Sequence, residues 1–519
     1  MHRSLVEMLG SMPQVSVSLA GYMMRAGRQT LTASLMLTRG QIWTHDNTVG
    51  NVVQAVYERV LGRIGAEGWE PTLQPQPGAF QVPSLQRFAR LVARSMPRGS
   101  LPVSGEAFVN HYRGQKFLRY TRALASLVSK PIRKQDSFPS VFLKAEKWVA
   151  EKAGRLISAR HPRYNLEVGC YLQPIERRMY HAIDAVFGGP TIMKGLTPQQ
   201  RAEVIKQHWT HFDDPVAIGQ DFSKFDQHIS RAALQYEHGF YMRVYPGDDK
   251  LAKLLGWQLG TTCYANLRDG RVKYTVEGGR MSGDMNTAMG NCIISASLLW
   301  AYCQEKGIRI KAIVDGDDSV TFLERRDVRA YLDGIEGWMA EKGFRLVTEK
   351  PVHHLHKVEF CQARFLDISA CTMVRDPVKA ITQDHAWVVD RSISYSEVMA
   401  ATGLGGLSLY GNVPVLGAYY QMLARGTSLS IKTLQRLSFQ DSWLRDAAIG
   451  AGGFVEPTEE ARYAFWLSWG ITPGEQRALE DQFQCMETLG VDCEDAKNNL
   501  TFINDKYCVV RELYAPCTL

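Results

Sequence analysis

The sequence predicts an α+β protein. One observation is a strand–turn–strand pattern between Ile308 and Glu324, IRIKAIVDGDDSVTFLE. Ile308, Ile310 and Ala312 alternate with Arg309 and Lys311, which is strand periodicity, and Ser319 to Leu323 forms a second strand. Asp315-Gly316 lies between them and suits a tight hairpin, because both residues tolerate positive φ. A second observation is the apolar strand start Val216 to Ile218, which ends near Asp221. The third is helical spacing over most of the remaining chain.

The hairpin tip carries two adjacent acids, Asp317 and Asp318, with no basic residue close by in sequence. Two carboxylates so placed repel each other, and a divalent cation resolves the repulsion, since Mg²⁺ takes one or two carboxylates plus substrate phosphates. A solvated acidic turn is the alternative for a bare Gly-Asp-Asp. The chain supplies a control in Gly247-Asp248-Asp249, which follows Pro246 and lacks flanking strands, and so reads as a turn between helices. Asp221 ends a strand and can face another strand's turn, which sets it across one metal site from Asp317. Asp226, five residues on, then lies slightly beyond, nearer a bound sugar.

With 519 residues the chain can form several subdomains with substantial cores. Its net charge of +7 is unevenly spread. Residues 1–165 hold 23 Lys+Arg against 9 Asp+Glu, and residues 166–519 hold 37 against 44. A basic front and an acidic remainder suit a polyanion gripped mainly by the first third. The ten cysteines include no CxxC pair, which argues against a zinc ribbon and against a disulfide scaffold. No secretory signal and no apolar run long enough to span a bilayer is present; Val15 to Leu37, read as a helix, is interrupted by Arg25 and Arg28.

In chain order, residues 1–70 read as basic helices, including Val52 to Ile64, and Pro71 to Pro83 as a loop. Helical spacing resumes from Ser84 to Met96. Val109 to Lys134 reads as helical, with Arg113, Lys116, Arg119 and Arg122 interleaved with Tyr112, Phe117 and Tyr120. That mixture suits a nucleic-acid backbone and its bases, and equally an amphipathic helix with aromatics facing a core. The run from Phe142 to Asn165 carries Lys144, Lys147, Lys152, Arg155, Arg160 and Arg163, a set of cations suited to triphosphates. Leu166 to Phe187 reads as a helix ended by Gly188-Gly189-Pro190. Gly278, Gly279 and Gly283 form a loop that lets backbone approach a ligand. A helix follows from about Asp284, with Asp284, Thr287 and Asn291 on one face and an apolar second half. Asp327 to Lys342 reads as a helix, Phe344 to Val347 as a strand and Val358 to Leu366 as a strand pair. Helices dominate after Ser369, and Gly403-Leu404-Gly405-Gly406 reads as a turn.

Together these stretches resemble the RNA-directed RNA polymerases of positive-strand RNA viruses, most closely the tombusvirus-like group, over roughly residues 105–425. DFSKFDQH at 221–228 looks like polymerase motif A, and SGDMNTAMGN at 282–291 fits motif B. VDGDDSV at 314–320 looks like motif C and VEFCQ at 358–362 resembles motif E. FLKAEK at 142–147 with the basic run to HPRYN at 161–165 resembles motif F. FGGPTIMKG at 187–195 is similar to the segment before motif A in that group. One departure is GRLISAR, where the family often has PR before an IQPR-like stretch; Arg155 and Arg160 stay in place.

The resemblance implies a closed right hand with an antiparallel palm sheet backed by helices. Residues 1–78 would be an N-terminal extension joining fingers and thumb, 79–215 fingers, 216–245 and 281–370 palm, 246–280 an insertion of the fingers, and 371–519 thumb. It implies replication of a positive-sense RNA genome from nucleoside triphosphates by two-metal chemistry. The ions would be Mg²⁺, with Mn²⁺ as a substitute, held by Asp221 and Asp317 with Asp318 adjacent. Asp226, Ser282, Gly283, Thr287 and Asn291 would sense the ribose. Arg155 and Arg160, with Lys144, Lys147 and Lys152, would grip the triphosphate. A general-acid lysine would be Lys350, or else Lys342. Partners would be template and product RNA, nucleotides and a viral membrane-anchored replication protein, which would hold the chain at membrane-associated complexes in the host cytoplasm.

Overall fold

The computed structural model describes residues 14–19, 28–32, 43–146, 152–368, 370–390, 395–425, 452–485, 500–503 and 507–510. The fold is mixed α+β. At its centre is a four-stranded antiparallel sheet in the order Lys311–Asp315, Asp318–Glu324, Pro215–Phe222, Leu346–Thr348. Both faces of this sheet are covered, and strand alternation sends neighbouring residues into different cores. Val216, Ile218, Val314 and Leu323 join the large core built around the Thr287–Lys306 helix. Ala217, Ile313, Val320 and Phe322 join a second core with Ala202 and Ile205 of the Pro198–Trp209 helix. Burial on two sides explains why the strands read as apolar runs rather than as a clean alternation.

The Thr287–Lys306 helix is buried at every residue from Met289 to Cys303 and ends at Gly307 in the left-handed conformation. It begins three residues later than its sequence suggests. The carboxylate of Asp284 accepts from the Met281 amide and pairs with Arg160, which holds 281–284 as a turn instead of a first helical turn.

A five-stranded sheet runs in the order Val15–Leu19, Gly270–Glu277, Gly260–Leu267, Ser140–Leu143, Leu156–Ala159. Its edge strand Val15–Leu19, like Arg28–Thr32, is extended, which corrects the helix expected over Val15 to Leu37. Arg28–Thr32 pairs with Ala386–Asp390, so early residues of the chain close strands drawn from two distant segments. Val49–Val56 is helical, but Gly62–Gly65 turns into a hairpin strand, so the helix expected over Val52 to Ile64 stops early.

Gly403 and Gly406 lie inside the Tyr395–Tyr410 helix and form no turn. A Cβ at Gly403 would sit 2.5 Å from the Ala424 backbone nitrogen, and one at Gly406 would enter the Tyr420 ring. The glycines therefore let this helix pack directly on Leu416–Ala424. Gly247-Asp248-Asp249 is an interhelical turn, as read: Asp248 caps Asp249–Gly256 by accepting from the Leu251 amide at 2.8 Å. No helix among the described residues is long and apolar enough to cross a membrane.

Candidate active site

The acids gather at one end of the central sheet. Gln220 pairs with Ser319 and Asp315 with Asp318. One residue beyond the Gln220–Ser319 pair, the same register brings Asp221 beside Asp318. The connecting turn is Gly316-Asp317, shifted by one residue from the Asp315-Gly316 turn expected. Only Gly316 has positive φ, at 83°, the pattern of a hairpin turn with glycine in its first central place.

Asp221, Asp317 and Asp318 reach solvent, but protein crowds the two hairpin acids on their other sides. That desolvation, and then the charge of Asp317, pushes Asp318 up to about 6. Asp317 is raised by desolvation first, with Asp221 and Asp315 adding to it against Lys194. Glu349, also exposed, is raised by desolvation and by the charges of Glu359, Asp221 and Asp318. Its amide donates to the Gly219 carbonyl at 2.9 Å, which seats it beside the group.

The cations that steady the hairpin come from a distant segment. Thr191 and Met193 bond the Val314 backbone along the outer edge of Lys311–Asp315. This run carries Lys194 to Asp315, where Arg201 also donates to the carboxylate at 2.6 Å. Arg201 and Glu349 lie in no motif of the sequence, and Lys194 lies in the FGGPTIMKG run, which does not itself announce a role for it. Their role shows only when the 191–194 segment is laid against the hairpin.

Asp226 and Asn291 meet, the Asn291 Nδ2 donating to Asp226 Oδ1 at 2.8 Å. Burial pushes Asp226 up to about 6 against that bond and the charge of Arg280. The other residues expected around a sugar are committed elsewhere. Ser282 Oγ accepts the Ser158 amide at 2.9 Å, and Thr287 Oγ1 donates to the carbonyls of Met281 and Asp284. Gly283 packs closely against the chain itself. A Cβ there would lie 2.7 Å from the Ser158 carbonyl oxygen.

Among the triphosphate candidates, Arg160 is fully buried and pairs with Asp284, so this structure does not present it to a ligand. The reason is the turn at 281–284, which brings a carboxylate under the guanidinium. Arg155 and Lys144 both contact Glu146, with Arg155 near enough to Asp317 to feel its charge. Lys152 is exposed, and Lys147 lies outside the described residues. Lys350 is exposed directly after Glu349, whereas Lys342 is buried with its ammonium 4.5 Å from the Trp338 ring centre. In the Gly114–Ser129 helix, Phe117 and Tyr120 pack with Phe108, and Lys116, Arg119 and Arg122 are exposed. The aromatics thus serve the core, and the cations face solvent.

Carboxylates form the acidic group, with the Cys361 thiol hydrogen-bonded to Asp318, and carboxylate oxygens suit a hard cation. Among the described residues no three acidic, histidine or cysteine side chains converge tightly enough to hold an ion unaided. The residues fit an ion held by a carboxylate pair and completed by substrate oxygens.

A family model described as viral RNA-dependent RNA polymerase matches residues 16–490. The chain belongs to this family. As a viral RNA-dependent RNA polymerase family member it is 36% identical, over 472 residues, to an RNA-directed RNA polymerase of Oat chlorotic stunt virus (isolate United Kingdom). That match covers 86% of the chain and 62% of the relative. The RNA-directed RNA polymerase of Turnip crinkle virus is 36% identical, covering 86% of the chain and 58% of the relative. That of Carnation mottle virus is 34% identical, covering 92% and 63%. The chain therefore spans about three fifths of the length of these relatives.

Proposed function

We propose that the chain is a template-directed RNA polymerase that replicates a positive-sense viral RNA genome from nucleoside triphosphates. The observation that carries this reading is the meeting of Asp221 with Asp317 and Asp318 at one open end of a sheet buried on both faces. Family membership over residues 16–490 supports it independently.

Asp221 and Asp317 would hold two divalent ions, Mg²⁺ or Mn²⁺, with Asp318 adjacent. Bound there, the ions would lower the pKa of the attacking 3′-hydroxyl and neutralise charge on the departing pyrophosphate. Asp221 and Asp317 are suited to this because each lies near the other's charge while the nearby cations are engaged elsewhere. Lys194 pairs with Asp315, and Arg155 with Glu146. Asp226 and Asn291 would bind the ribose 2′-hydroxyl, which both donates and accepts a hydrogen bond. Arg155, Lys144 and Lys152 would guide the triphosphate, and Lys350 would donate a proton to pyrophosphate. Positioning and electrostatics account for most of the work asked of the protein.

The closed right hand, with the divisions given above, is supported by the early strands that pair with Gly270–Glu277 and with Ala386–Asp390. Template and product RNA would follow the basic first third. A membrane-anchored viral partner would place the chain at replication complexes in the host cytoplasm. Purified protein should extend RNA on a simple template in Mg²⁺ or Mn²⁺, and Asp317→Asn should abolish extension while keeping its far-UV circular dichroism. Extension at the parent rate by Asp317→Asn would refute the assignment.

A further inference from the structure

We propose that the buried ion pair Arg280–Glu237 sets the orientation of Asn291 and Asp226, and so acts as the positioning element for discrimination between ribose and deoxyribose. This rests on reading Asp226 and Asn291 as the partners of the 2′-hydroxyl.

An asparagine amide can turn over and exchange donor for acceptor at little intrinsic cost. Here the surroundings forbid the exchange. Arg280 Nε donates to Asn291 Oδ1 at 3.0 Å, which forces the Nδ2 end toward Asp226, where it donates at 2.8 Å. The Arg280 backbone amide also donates to the Asp226 carbonyl at 2.8 Å. One residue therefore fixes both members of the pair, through its side chain and its main chain.

Arg280 is itself fixed by a charge. Its Nη2 donates to Glu237 Oε2, and both side chains are fully shielded from solvent. Glu237 Oε1 accepts from the Tyr241 hydroxyl and from Asn286 Nδ2, each at 2.7 Å. The carboxylate is thus held by donors on its own helix, Arg231–Val244, and by Asn286 at the start of the helix that carries Asn291. The pair crosses that helix at Gly290, where any Cβ would run into Glu237 Oε1. Arg280 Nη1 is buried without a hydrogen-bond partner, so the pair gives conformational definition more than stability.

The test is the ratio of ribonucleotide to 2′-deoxynucleotide incorporation by the purified full chain on a fixed primer–template. Glu237→Gln keeps the shape of the side chain and removes its charge. Arg280→Lys keeps the charge but lacks the planar fork that reaches Glu237 and Asn291 at once. Both variants should lower the ratio by about tenfold, the worth of one well-placed hydrogen bond. In an Asn291→Ala background neither should lower it further, because the three residues act as one unit.

A ratio at the parent's value in Glu237→Gln, or equal losses on both nucleotides, overturns the proposal and leaves the pair a purely structural role. Additive effects with Asn291→Ala overturn it too. Should Glu237→Gln fail to fold, Arg280→Lys carries the same test, and an unchanged ratio in that variant overturns the proposal. An unchanged ratio in Asn291→Ala alone would remove the reading beneath the proposal, and the proposal with it.

Discussion

Asp315→Asn isolates the clamp on the hairpin. The carboxylate is almost buried and accepts from Lys194 and from Arg201, the latter at 2.6 Å. Each charge-assisted bond of this kind is worth about 1.5–3 kcal/mol. Lys194 and Arg201 keep 33% and 22% of their side chains in solvent, so water replaces part of what is lost. The lower figure applies, and the two bonds together give a destabilisation of about 3 kcal/mol. A second effect bears on function. Lys194, once released, remains close to Asp317, whose carboxylate already feels its charge. Losing the Asp315 charge leaves that cation uncompensated beside Asp317 and should raise the Mg²⁺ concentration for half-maximal incorporation by about tenfold, the equivalent of about 1.4 kcal/mol. The assay is a Mg²⁺ titration of nucleotide incorporation beside a thermal melt of the same preparation. A variant with the parent's melting temperature and Mg²⁺ midpoint would refute the clamp.

Two further predictions concern burial. Asp226 is raised from an ordinary 3.8 to about 6, so between those values the native state keeps a proton that the unfolded chain has released. Stability without divalent metal should therefore fall as pH rises across that window and stay lower above it, by at most about 3 kcal/mol from this residue. Asp226→Asn should remove that fall, so its melting temperature relative to the parent should climb from pH 4 to pH 7; a pH-independent difference would contradict the burial. Arg160→Gln should unfold about 3–5 kcal/mol more easily, because it strands the buried Asp284 charge, while the folded enzyme keeps its KM for nucleotide. A raised KM at unchanged stability would mean that Arg160 reaches the substrate after all.

The parts of the site that were legible in the sequence are those fixed by local chemistry. The hairpin around Asp317 is legible through alternation, whereas the joint placing of Asp226 and Asn291 came only with the resemblance to polymerase motifs A and B. The Gly247-Asp248-Asp249 turn differed from the hairpin because no strands flanked it. What stayed hidden depends on contacts between distant segments. Arg160 looked like a free cation because Asp284, 124 residues away, gave no sign that it would pair with it. Ser282 gave no sign that its hydroxyl would accept the Ser158 amide, 124 residues away, and Thr287 none that its own would donate into the 281–284 turn. Gly403 and Gly406 read as a turn because glycine marks both turns and close helix packing, and only the Leu416–Ala424 helix decides between them. Lys194 and Arg201 became part of the site through an edge pairing to Val314 that no periodicity encodes.

The central claim is that Asp221 and Asp317 share metal. Crystals grown with Mn²⁺ and a nucleoside triphosphate, measured for anomalous scattering, test it most directly. The account predicts manganese at the carboxylates of Asp221 and Asp317, beside the triphosphate. A peak bound to other residues, with those two aspartates unliganded beside an ordered nucleotide, would contradict it.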